Sequence, residues 1–145
     1  MQPSEHFSYE ELTASETAAR NGWDNTPNPD ELANLKRLAE FLEEVKSVLG
    51  GKPVMINSAF RSKLVNDAVG SKDSSQHRIG CAADIRVPSM TPDEVVKAVI
   101  ASGIGYDQVI REFDRWTHIS IPNRPEDKPR QQALIIDKLG TRQYA

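Results

Sequence analysis

Residues 106–121 read YDQVIREFDRWTHISI, from Tyr106 to Ile121. Two runs rich in aromatic and β-branched residues, Tyr106 to Phe113 and Trp116 to Ile121, flank the polar pair Asp114-Arg115. Such runs form strands, and a short polar break between them is a hairpin turn. Side chains alternate along a strand. Thr117, Ile119 and Ile121 therefore share one face, apolar enough for a core. Trp116, His118 and Ser120 share the other, which must open on water or on a site.

Working outward, Cys81 to Val87 (CAADIRV) divides the same way, with Ala83, Ile85 and Val87 on a core face and Ala82, Asp84 and Arg86 on a polar one. Pro53 to Phe60 (PVMINSAF) reads as another strand and ALIID, after a loop over 122–131, as a last one. Helices are announced by their caps. Ser8 with Glu11 is a capping box, and so is Thr91-Pro92-Asp93-Glu94, with proline in its first turn. Asn28-Pro29 opens a longer helix whose stripe is Leu32, Leu35, Leu38, Leu42, Val45 and Leu49; Gly50-Gly51 ends it. A short helix is expected over 62–69, then a polar loop, SKDSSQH. The order predicts an α+β fold, helices packed on a mostly antiparallel sheet, as a single domain over 1–145.

With 145 residues, 38% hydrophobic and 27% charged, the chain can bury one core. A net charge of −3 argues against nucleic acid as partner and gives no attraction to anionic lipid. One cysteine, Cys81, excludes an internal disulfide. The N-terminus lacks the basic start and apolar run of a signal peptide, and no apolar stretch is long enough to span a bilayer. Synthesis in a cytoplasm as a monomer, without stable membrane association, is expected.

Histidine is scarce: His6, His77 and His118. His77 sits in a loop seven residues before Asp84, and a loop histidine and a strand aspartate at that separation can converge. His118 on a neighbouring strand would complete a facial set of two imidazoles and one carboxylate. That set suits zinc with a fourth position open for water, and equally the triad of non-haem iron oxygenases; spacing does not choose between them. The bland alternative is a surface histidine, a capping aspartate and a satisfied strand histidine. Cys81 reads as a buried structural residue and His6 as a surface or capping group.

Residues 75–84, SQHRIGCAAD, resemble the Ser-x-His-x-x-Gly-x-Ala-x-Asp motif of the M15 zinc peptidases. Trp116-Thr117-His118 resembles the Trp-x-His that supplies their last ligand, and Asn57 to Ser62 (NSAFRS) their Ser-Gly-Tyr-Arg-Ser segment, with Ala59 and Phe60 departing mildly. The run HFSYEEL…SETAARNGWDNTP is similar to small phage-borne members, so the resemblance covers roughly residues 6–121. It implies the hedgehog/DD-peptidase fold and Zn2+ on His77, Asp84 and His118, with ligand atoms about 2.0–2.2 Å from the metal. It implies hydrolysis of an amide bond in the peptidoglycan stem peptide, in the manner of an endolysin cutting L-alanyl-D-glutamate links. A D-Ala-D-Ala carboxypeptidase, or a virion or binding protein that keeps the fold without activity, are the rival readings. An iron oxygenase is a weaker one, lacking a visible 2-oxoacid site. A lytic role without a signal peptide implies release by a holin. The absence of a separate wall-binding module suits a Gram-negative host.

The general base is expected at Glu112, which matches the Glu-Phe-x-x-Trp-x-His arrangement of the phage members; Asp114 is the runner-up. Many relatives place an acid three residues before the last histidine, where this chain has Arg115. Arg61 is expected to hold a substrate carboxylate, free of any structural carboxylate, because its fork is bidentate and permanently charged. Trp116 could wall the cleft or simply pack.

Glu112 carries a geometric condition. A two-residue turn at Asp114-Arg115 would pair Phe113 with Trp116 and turn Glu112 to the core beside Thr117, a costly burial. A catalytic Glu112 therefore requires an odd number of turn residues or a bulge. Pairing Phe113 with Thr117 would meet the condition, with Gln108, Ile110 and Glu112 on the site face and Val109 and Phe113 in the core.

Overall fold

The caps do what their residue types dictate. In the computed structural model, which describes residues 2–144, Ser8 and Glu11 close a capping box on α1 (Tyr9–Thr13). Asn28 and Glu31 do the same for α3 (Pro29–Val48), and Thr91 and Glu94 for α5 (Pro92–Ser102). Between the first two lies α2 (Glu16–Asn21), capped by Ser15 and not foreseen from its weak apolar pattern. α4 (Lys63–Ala68) is the expected short helix.

The strands are β1 (Met55–Ser58), β2 (Ala82–Arg86), β3 (Gln108–Glu112), β4 (Trp116–Ser120), β5 (Gln132–Asp137) and β6 (Gly140–Gln143). They form one sheet in the order β1-β2-β4-β3-β5-β6. Every pairing is antiparallel except β3 with β5, so the fold is α+β on a mostly antiparallel sheet, as the pattern predicts. β1 holds four of the eight residues expected: Pro53 and Val54 precede it, and Ala59 and Phe60 leave it for the core. β6 was not anticipated; its residues are exposed and polar, with no alternation to betray a strand.

The core lies between one face of the sheet and the long helices. Leu35, Leu38, Leu42 and Val45 of α3 and Val95, Val96 and Val99 of α5 are buried with Ala83, Ile85, Val109 and Ile119. Full burial of such a side chain is worth roughly 1.5–3 kcal/mol. Leu32 falls outside the stripe and is exposed. Ile119 and Thr117 face this core, which turns Asp84 and His118 to the opposite side.

The β3–β4 hairpin decides where Glu112 points. Glu112 pairs with Trp116, Arg111 with Thr117 and Ile110 with His118. The turn therefore spans Phe113, Asp114 and Arg115, not Asp114-Arg115 alone. Its odd length keeps Gln108, Ile110 and Glu112 on the His118 face, but the pairing of Phe113 with Thr117 does not occur. Phe113 and Asp114 both take left-handed backbone, φ 53° and 52°, and Arg115 N–H donates to the Glu112 carbonyl at 3.0 Å. Aspartate tolerates that region; phenylalanine rarely does. Phe113 is consequently not a core residue: it is 46% exposed, its ring 5.9 Å from that of Trp116.

Candidate metal centre and active site

A capped turn delivers His77, and the sheet delivers the other two donors. Ser75 caps a single 3-10 turn, Gln76–Ile79, that lifts His77 out of the preceding loop. Gly80 ends the turn at φ +84°, and an added Cβ there would stand 3.0 Å from the Glu31 carbonyl oxygen and 3.1 Å from Leu35. Only glycine allows both the left-handed backbone and this approach to α3. Gln76 anchors the turn to the far end of β4, donating from Nε2 to the Ile121 carbonyl at 2.9 Å and Asn123 Oδ1 at 2.8 Å. Asp84 and His118 need no such device, because they face each other across the β2–β4 ladder. Ser58 joins the same row from β1, past a register shift between Ile56 and Ser58.

His77, Asp84 and His118 present one ligand atom each, all within 4.8 Å of one another. Asp84 Oδ1 lies 3.3 Å from His77 Nε2 and 3.0 Å from His118 Nδ1. Donors about 2.0–2.1 Å from a tetrahedral ion stand about 3.3 Å apart, so the spacing fits zinc. The chemistry of the donors fits too. His77 Nδ1 lies 2.7 Å from the Ala59 carbonyl, which can only accept. Nδ1 must then carry the proton, leaving the Nε2 lone pair turned to the centre. Burial holds the His77 pKa below the ordinary histidine value, so the imidazole is neutral, as a metal ligand must be. Burial pushes Asp84 up, but the two imidazoles facing it outweigh burial and hold its carboxyl below the usual carboxylate range.

Glu112 stands beside this set without belonging to it, with Oε1 4.0 Å from His118 Nδ1. Burial raises its pKa first, and the negative Asp84 adds to the rise; His118, the Trp116 indole and Arg61 oppose it. The indole N–H is buried and close enough to be felt, but it makes no aligned hydrogen bond among the described residues. A glutamate beside the donor set and outside it can take up a proton and pass it on. Asp114 cannot do so from its place: it is 72% exposed and paired with Arg111 Nε at 3.1 Å.

Arg61 does not stand free as expected. Its Nη2 donates to Asp84 Oδ2 at 3.2 Å, Nε to Ser58 Oγ at 3.2 Å and Nη1 to Ser71 Oγ at 3.2 Å. The guanidinium holds the outer oxygen of Asp84 while the inner oxygen faces the histidines. Such a partner orients a ligand. Of the five N–H donors of an arginine, two remain for a substrate. Arg61→Ala should therefore weaken metal binding about ten- to hundredfold, read by competition with a chelator. Unchanged metal affinity with a fallen kcat/KM would return Arg61 to a purely substrate-binding role.

Ser71, the Ala59 carbonyl and Gln76 escape sequence reasoning. Ser58 lies in the segment quoted above, but nothing in its spacing marks it as an arginine clamp. Cys81 is a buried free thiol pushed up to about 11 by burial, consistent with a structural role. His6 is half exposed at the surface, 2.7 Å from Glu43.

The centre sits in a groove of about 430 Å³ lined by Arg61, His77, Asp84, Glu112, Trp116 and His118. It continues past Arg61 into a hollow of about 410 Å³ beside α2 and β1, and past Glu112 into one of about 490 Å³ over β5 and β6. Among the described residues no helix is long and apolar enough to cross a membrane. A comparison with curated proteins gives no match. A family model described as Peptidase M15 matches residues 5–120, a span that holds the whole donor set together with Arg61 and Glu112. With that match over most of its length and this centre on its sheet, the chain belongs to the M15 peptidase family.

Proposed function

We propose that the protein hydrolyses an amide bond in the peptidoglycan stem peptide, as an endolysin-type L-alanyl-D-glutamate endopeptidase, with zinc held by His77, Asp84 and His118. The observation that carries this reading is the convergence of those three donors on one point, with the Glu112 carboxylate on the same sheet face. Bound zinc would supply Lewis acidity to the scissile carbonyl and the attacking water. Glu112 takes the proton of the attacking water and returns it to the departing amine. Arg61 orients Asp84 and offers its remaining N–H groups to the substrate.

The groove favours an endopeptidase over a carboxypeptidase. It runs on past the centre in both directions, so a chain can lie across it. The presence of Glu112 speaks for catalysis over a binding role. The protein would be made in a host cytoplasm and reach the wall on release. Mass analysis of fragments from purified peptidoglycan, digested with the zinc-loaded protein, tests the reading. New amino termini at D-glutamate are the expected result. Loss of terminal D-alanine alone would favour the carboxypeptidase, and intact peptidoglycan would favour a non-catalytic protein.

A further inference from the structure

The site face of the sheet is organised in lateral rows. Ser58 pairs with Asp84, Asp84 with His118, His118 with Ile110 and Ile110 with Leu134. One step along, Trp116 pairs with Glu112, Glu112 with Ile136 and Ile136 with Thr141. The donor set occupies one end of these rows, Glu112 the middle and the β5–β6 hairpin the other end. The hollow of about 490 Å³ lies over that end, with Glu112 and His118 at its near wall, Leu134, Ile136 and Thr141 beneath it and Lys72 at its rim. Leu134 and Ile136 are aliphatic residues left half-buried on a face that otherwise carries the reacting groups. The hairpin begins at Gln132, beyond the residues that match the family model.

A base that returns its proton to the departing amine must have that amine beside it. Glu112 separates the donor set from the β5–β6 hollow, so the amine-side segment of the substrate leads into the hollow. Its rim carries one uncommitted charge. The nearby Lys63 is taken by Asp67 and Asp73, whereas Lys72 has no carboxylate partner among the described residues. Arg130, on the same rim, is balanced by Asp107 at 2.7 Å. We propose that the β5–β6 hairpin is the specificity element for the amine-side segment, with Leu134 and Ile136 under its aliphatic part and Lys72 against its free carboxylate. This rests on the peptidase reading above.

The test uses two peptides built around the bond that wall-fragment analysis identifies. Both share the acyl side; one stops a single residue beyond the bond, and the other continues for two more residues to a free carboxylate. The wild-type protein should prefer the longer peptide in kcat/KM. Leu134→Ala and Lys72→Glu should each lower that preference about tenfold, with metal content unchanged. A general structural defect would slow both peptides together and leave their ratio intact. Lys72 is exposed, so its variant should fold even where Leu134→Ala is weakened. An unchanged ratio in both variants, or a wild-type preference for the shorter peptide, overturns the assignment. A fall in Leu134→Ala alone removes the carboxylate contact and keeps the hairpin. Wild-type protein that cuts neither peptides nor peptidoglycan fails at the peptidase reading itself.

Discussion

Glu112→Gln should lower hydrolysis of stem peptides by about two to four orders of magnitude while metal content and fold are retained. The substitution keeps shape and hydrogen-bonding capacity but removes the ability to carry a proton. Glu112 Oε1 lies 4.0 Å from His118 Nδ1, and Glu112 is not one of the three converging donors, so metal affinity should hold. The stability consequence has a definite sign. Burial and Asp84 raise the folded-state pKa of Glu112 above the ordinary 4.5. A carboxyl raised in the folded state binds its proton more tightly there than in the unfolded chain. Stability is therefore lost as pH rises from about 4.5 through the folded value, and the loss persists at neutral pH. Glutamine has no charge to bury, so the metal-free variant should be at least as stable as wild type at pH 7. Thermal unfolding of both metal-free proteins at pH 4 and pH 7 checks this. Retention of the wild-type rate within about threefold would show that the proton moves by another route.

His118→Ala should abolish both stoichiometric zinc binding and detectable hydrolysis. It removes one of the three donors and leaves Asp84 Oδ1 with His77 alone at 3.3 Å. Two protein ligands do not make the closed half of a catalytic zinc site. The measurement with most leverage is metal-dependent stability. Zinc at a hundred times its dissociation constant should stabilise the wild-type protein by about 2.7 kcal/mol, and the variant should show no such gain. His6→Ala is the matched control, since His6 lies at the surface against Glu43 and should leave metal content untouched. Stoichiometric zinc in His118→Ala, with the stabilisation intact, would remove His118 from the ligand set.

Much of this was legible in the chain alone, wherever a requirement is local. Capping boxes at Ser8 and Thr91 are written in residues three apart, and Asn28-Pro29 in a cap and a first-turn proline; all three start helices where expected. Alternation over WTHISI and CAADIRV divides core from site face, because a strand has no other way to bury Ile85 and Ile119 together. The donor set follows from that division plus the motif around His77, and the fold places all three residues at one point.

The tertiary structure decided what depends on partners distant in the chain. The length of the β3–β4 turn is one such case. A polar pair suggests two residues, but Phe113 joins the turn with left-handed backbone, and its N–H donates to the Ile136 carbonyl of β5 at 2.9 Å. That bond comes from a strand the hairpin cannot foresee, and the parity it sets is what turns Glu112 toward the face of the three converging donors. Arg61 is the other case. Its residue type announces a carboxylate partner; only the fold shows that the partner is Asp84, 23 positions away, with Ser58 and Ser71 accepting from Nε and Nη1. Residue type and spacing constrain a side chain's chemistry and its face, whereas the identity of what it touches is settled by packing, which depends on every element at once.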